Sequence, residues 1–247
     1  MHFGAEYCQF YKKDGMDLRR LMAIFLVFSL LTLPARAADG EKLVALTFDD
    51  GPSGRFTRRL LEGLAQRGAK ATFFLCGYRL EQYPKLSQTI VSQGHEVAVH
   101  GYSHRSMCAM TDGELSTEIR ETLALLPGDH ILFLRPPGGM CNQKIEETAG
   151  KFGLAILHWS VDPKDWATND VNLIVHRVVS QVQDGDVILL HDMSDSSVDA
   201  ALQIVDILQH KGFRFVTASQ LAQARKQTPV PGTIYTAFCA KEPAENK

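Results

Sequence analysis

The sequence has no excess of basic residues: 26 lysines and arginines stand against 28 acids. Residues 1–37 hold five of the former and three of the latter, which leaves the remainder of the chain near −4. A nucleic-acid partner therefore has no electrostatic footing. Long apolar runs are scarce too. The run Leu21–Leu33 is 13 residues long, short of the ~20 that span a bilayer comfortably. No Gly-x-Gly-x-x-Gly follows the first strand candidate, so a dinucleotide fold lacks its fingerprint. The five cysteines do not show zinc-ribbon spacing. There is no Gly/Ser-rich or Pro-rich linker to divide the chain, and nothing points to a stable protein partner.

What is present begins with a leader. Arg19 and Arg20 precede the apolar run, and Pro34-Ala35-Arg36-Ala37-Ala38 follows it. A basic flank, a short apolar stretch and an Ala-x-Ala site predict a secretory signal over 1–37, with Met16 as the true start. The protein is then secreted or held in the cell envelope, anchored in the membrane if the signal stays uncleaved. Export permits disulfides among Cys76, Cys108, Cys141 and Cys239. Cys76 lies in an apolar strand and reads as a buried thiol, and a Cys108–Cys141 bond is the favoured pairing.

With 45% hydrophobic and 22% charged residues, the rest suffices for one sizeable core. Short apolar runs predict strands at Val44–Asp49, Ala71–Cys76, Glu96–His100, Ile131–Arg135, Leu154–Val161, Val187–His191 and Phe213–Thr217. Amphipathic stretches lie between them, with a capping box at Thr111–Glu114. Gly68, Gly94, Gly153, Gly185 and Gly212 stand where helix C-caps are expected. Repeated strand-helix units imply an α/β fold, either a doubly wound sheet or a barrel. The barrel is favoured because the unusual polar clusters all fall at strand C-termini, which a barrel gathers on one face. The reading is a single domain, a distorted (β/α)7 barrel over 38–227, followed by an irregular tail over 228–247.

Those clusters carry the chemistry. The first strand runs into Asp49-Asp50-Gly51-Pro52, where two adjacent carboxylates need a cation to stay ionised together. The third strand ends in His100-Gly101-Tyr102-Ser103-His104. Two histidines and a carboxylate with an open position make the ligand set of a catalytic zinc site, the carboxylate being Asp50 or Asp49. The fourth strand gives Arg135-Pro136-Pro137-Gly138-Gly139. Its prolines end the strand and place Arg135 at the rim, where it can hold one acid ionised. The fifth gives Trp159 and then Asp162-Pro163-Lys164-Asp165-Trp166. The sixth ends in His191, a candidate general acid.

Thr-Phe-Asp-Asp-Gly-Pro, His-x-x-x-His, Arg-Pro-Pro-Gly, Asp-x-x-Asp-Trp and Leu-His, in this order, resemble the five motifs of the polysaccharide deacetylases, the NodB-homology proteins of carbohydrate esterase family 4. The likeness covers about Val44 to Thr217 and implies a distorted barrel. It also implies roles. Asp49 would be the catalytic base, and Asp50, His100 and His104 the ligands of a divalent metal, zinc first and cobalt, manganese or nickel as alternatives. Arg135 would orient Asp49, and His191 would be the acid, tuned by Asp165 rather than Asp162. Pro137, Gly138 and Trp166 would line the substrate site. The implied reaction removes N-acetyl groups from a β-1,4-linked amino-sugar polymer, peptidoglycan before chitin oligomers. The alternatives are an O-acetyl esterase on acetylated xylan and a non-catalytic carbohydrate-binding protein. The sequence departs from the family at Gly101, where Thr or Ser is usual, and at Gly138, where Tyr is common. The second departure bears on substrate preference.

Overall fold

The computed structural model describes residues 41–128 and 130–239. The expected signal, its start at Met16 and its cleavage site lie outside the described residues. From Glu41 onward the chain forms one compact unit. Among the described residues, no helix is long and apolar enough to cross a membrane.

Strands β1 (Lys42–Gly51), β2 (Thr72–Leu75), β3 (Glu96–Val99), β4 (Phe133–Leu134), β5 (Ala155–Leu157), β6 (Val187–His191), β7 (Phe213–Val216) and β8 (Ile234–Tyr235) form one sheet. Its order is β6-β1-β2-β3-β4-β5-β8, with every pairing parallel. β7 pairs in parallel with the first half of β1, from Lys42 to Ala45, whereas β6 pairs with Ala45–Asp49. The sheet curls back on itself through two isolated bridges, Val161 to Ile188 and Asp186 to Ala237. This is the distorted barrel expected; β1 extends beyond its apolar run, β6 matches its run, and the other five expected strands are shorter than theirs.

Helices α1 (Arg55–Gln66), α2 (Gly77–Gln82), α3 (Pro84–Ser92), α4 (Asp112–Leu125), α5 (Gln143–Lys151), α6 (Val171–Val179), α7 (Asp195–His210) and α8 (Ala218–Ala224) connect the strands. Their starts follow local chemistry. Thr111 and Glu114 close a capping box on α4, Thr217 and Gln220 close another on α8, and Asn142, Asp170 and Ser194 cap α5, α6 and α7. Gly185 is a correction. α6 ends at Val179, and Gly185 instead lies against the C-terminal segment, where a Cβ would come within 2.6 Å of the Phe238 carbonyl oxygen.

The expected irregular tail is also corrected in part. Ile234–Tyr235 pairs with β5, and Phe238 is wholly buried with Leu43, Phe74, Phe133 and Leu157. A two-residue strand is too short to show a period, so loss of periodicity is no guide to loss of structure.

Strand parity decides what faces inward. Along β1, Val44, Leu46 and Phe48 pack toward the helices, while Leu43 and Ala45 join the inner cluster. A period of two carries Thr47 and Asp49 onto the inner face. The same parity follows Phe74 on β2. It carries Ala98 into His100, Phe133 into Arg135, and Val187 into His191. The suspected polar residues thus extend the inner face at the C-terminal ends of β6, β1, β3 and β4, with β2 between the two pairs.

Candidate active site

Arg135 is fully buried, not at the rim as the prolines after it suggest. Its Nη1 donates to Asp49 Oδ1 at 2.6 Å and to Thr47 Oγ1 at 2.9 Å. Nε donates to the Leu157 carbonyl at 2.8 Å and Nη2 to the His158 carbonyl at 2.7 Å. The guanidinium lies 3.9 Å from the Phe74 ring centroid, with Trp159 at 5.5 Å. A buried cation needs such partners: burial pulls its pKa down, and Asp49 works the other way. The parity of β4 explains the position: Arg135 directly follows the strand and, two residues after the inward Phe133, continues its inner face.

Asp49 is 4% exposed. With Oδ1 taken by Arg135, Oδ2 faces His100 Nε2 at 3.7 Å. Asp50 sits at φ 71°, outside the strand conformation, and this reverses the direction of its side chain. Its Oδ1 lies 3.2 Å from His100 Nε2 and 2.8 Å from His104 Nε2. The three ligand atoms lie within 4.8 Å of one another. Burial alone raises the Asp50 pKa, but contact with the two imidazoles outweighs it and holds the carboxyl well below the ordinary range. The same contact raises His104.

The donor set fits a divalent cation. His100 Nδ1 is 2.8 Å from the Arg135 carbonyl, an acceptor only, so Nδ1 carries the proton and Nε2 offers its lone pair inward. Asp50 Oδ1, buried beside it, has no hydrogen-bond partner. Two imidazole nitrogens and a carboxylate oxygen around one point are the residues that would hold zinc or a similar ion.

Glu118, which the sequence reading does not single out, anchors the ligand loop. Its Oε2 accepts the Tyr102 and Ser103 backbone N–H groups at 2.7 and 2.8 Å, and Oε1 accepts the Ser103 hydroxyl at 2.6 Å. Gly101 between the ligands has φ 78°, and a Cβ there would meet Met107 at 2.9 Å, so glycine suits the turn. Pro137 is buried, its Cγ 3.8 Å from the same Cβ position. The Arg-Pro-Pro-Gly loop therefore borders the His-x-x-x-His loop.

His191 pairs in register with Asp49 across β1 and β6. Asp165, 4% exposed, accepts the His191 backbone N–H with Oδ2 and meets Nδ1 with Oδ1, both at 2.8 Å. Burial works to lower the His191 pKa, but Asp165 outweighs it and the imidazole is pushed up to about 9. Asp162 instead accepts the Lys164 N–H within its own turn. Gly138 is exposed at φ 70°, with nothing within 4 Å of where a Cβ would stand. Trp166 is 66% exposed beside Asp165. Trp159 lies against Arg135 and Gly139 instead, as packing beneath the site.

The four described cysteines are free thiols, so the favoured Cys108–Cys141 bond is not formed. The Cys141 thiol lies 3.9 Å from the Asn142 carbonyl, its acceptor.

A family model described as polysaccharide deacetylase matches residues 36–157. Peptidoglycan-N-acetylglucosamine deacetylase of Bacillus cereus is 36% identical over 190 residues, which is 74% of this chain and 89% of the relative. Chitooligosaccharide deacetylase of Sinorhizobium fredii is 34% identical over 201 residues, 74% of this chain and 93% of the relative. Among solved structures, peptidoglycan deacetylase PdaC from Bacillus subtilis is similar with a TM-score of 0.73 at 34% identity, covering 77% of this chain and 94% of that one. A family 4 acetyl xylan esterase from Clostridium thermocellum, in complex with a cobalt ion, has a TM-score of 0.74 at 29% identity, covering 79% and 98%.

Proposed function

This chain belongs to the polysaccharide deacetylase family, and from that premise we propose that it removes N-acetyl groups from the amino sugars of peptidoglycan, with zinc as its metal. The observation that carries the reading is the convergence of Asp49 Oδ2, the Asp50–His100–His104 set and His191 at one mouth of the barrel. Asp50, His100 and His104 would hold a divalent ion, whose Lewis acidity would serve the acetyl carbonyl and the attacking water.

The remaining work falls to the chain's own groups. Arg135 holds Asp49 Oδ1, so Oδ2 is the atom free to take the proton of the attacking water. Positioned proton transfer of this kind contributes about 10²–10⁴-fold. The developing oxyanion meets the Gly138 N–H, a donor worth roughly 3 kcal/mol in comparable sites. His191 carries protons on both nitrogens at neutral pH, because Asp165 holds Nδ1–H and the pKa is pushed up to about 9. Its Nε2–H is then available to the leaving amine, which departs protonated as acetate forms. Trp166, which is exposed, walls the groove for the sugar ring, while the buried Pro137 supports the loop beneath it. Export to the cell envelope accords with the leader predicted over 1–37 and would bring the enzyme to the wall.

The deciding experiment incubates purified protein with peptidoglycan, with chitin oligomers and with acetylated xylan, each with and without chelator, and measures acetate. Chelator-sensitive release from peptidoglycan is expected. Release from xylan alone would replace the amide reading with an ester one, as the similar acetyl xylan esterase illustrates. No release from any substrate would support a non-catalytic carbohydrate-binding protein.

A further inference from the structure

We propose that Asp192 is a positioning residue that clamps the Asp50 turn in its metal-ligating shape. The proposal rests on the metal site described above. Asp192 follows His191 and is 0% exposed, yet it takes no part in the proton transfers. Its side chain runs under the end of β1: a Cβ on Gly51 would lie 2.7 Å from Asp192 Oδ1. Only glycine leaves room for a carboxylate there.

The contacts form a closed circuit. Thr57, in the first turn of α1, donates its hydroxyl to Asp192 Oδ2. The same Thr57 oxygen accepts the Ser53 N–H at 2.7 Å. Ser53 in turn donates its hydroxyl to the Asp192 backbone carbonyl. The residues immediately after Asp50 are therefore tied on both sides to the segment after His191. Oδ1 is buried without a hydrogen-bond partner, a placement that costs stability. An apolar side chain would fill the space with less penalty, but it could not hold Thr57.

The clamp matters because of the conformation it encloses. Asp50 has φ 71°, a region that disfavours residues with a Cβ unless surrounding contacts impose it. If the turn after it is released, Asp50 relaxes toward the strand region. Its Oδ1 then leaves the 2.8 and 3.2 Å separations from His104 and His100.

The test titrates zinc into the metal-free protein by calorimetry and follows thermal unfolding in parallel. Asp192→Ala and Thr57→Val are expected to weaken zinc binding by about tenfold or more, the usual effect of losing a group that orients a ligand. Thr57→Ser, which keeps the hydroxyl, should bind like the unaltered protein. A folded Thr57→Val protein with unchanged zinc affinity would overturn the proposal, whatever its melting temperature, and this variant decides the matter if Asp192→Ala does not fold. An unaltered protein that takes up no zinc would overturn the metal site itself, a different failure.

Discussion

Arg135 and Asp49 meet at 2.6 Å with 0% and 5% of their side chains exposed. Breaking such a pair by removing one partner strands the other charge and costs about 3–5 kcal/mol. Arg135→Met should lower unfolding stability by that order, read from denaturant titration, and abolish acetate release. Arg135→Lys should not restore it, because one ammonium cannot reach Asp49, Thr47, Leu157 and His158 as the fork does.

The two adjacent acids have separable roles. Asp49→Asn should bind zinc yet lose about 10²–10⁴-fold in kcat. His104→Ala should lose zinc itself, since it removes one of the three candidate ligands found together among the described residues. Calorimetry and acetate release together distinguish them, and a fully active Asp49→Asn protein would sink the base assignment.

His191 sets the alkaline limit. Its folded pKa is raised from 6.5 to about 9, so the proton-donating form persists through neutrality and is lost as pH rises through that value. A kcat profile should therefore hold to about pH 9 and fall beyond it. Asp165→Asn removes the strongest of the influences that raise the pKa, leaving burial, which lowers it, against the weaker pull of Asp49 and Asp50. The limb should then move to lower pH, and an unmoved limb would reject the pairing as the source of the shift.

Glu118 should behave as a support of the metal loop. Glu118→Ala frees the Tyr102 and Ser103 N–H groups, and zinc affinity should fall about tenfold or more. Equal affinity would show that the loop holds its shape unaided.

The residues meant to react are legible in the sequence because each closes a strand. Asp49, His100, Arg135 and His191 follow an apolar run of the right parity, so a local pattern places them at one mouth. Their supports are not legible in this way. Glu118 lies 15 residues beyond Ser103 on an amphipathic helix, where an acid reads as solvent-facing. Thr57 meets Asp192 across 135 positions, and no periodicity links them. The burial of Arg135 was obscured by the two prolines after it, which do end the strand but do not turn the side chain outward. The tail eluded the pattern for the opposite reason: β8 has only two residues, and its contribution is a partner edge rather than a periodic face.

That last strand gives the fold an order in time. Tyr235 and Ala237 reach β5 and the start of β6, and Phe238 fills the interior behind them. A chain made from its N-terminus has almost the whole barrel in hand before these residues exist, and until they dock, β5 lacks the neighbour that covers its edge. An unpaired edge invites other chains, so a chain in which Ile234–Tyr235 has not yet docked on β5 is exposed to aggregation along that edge.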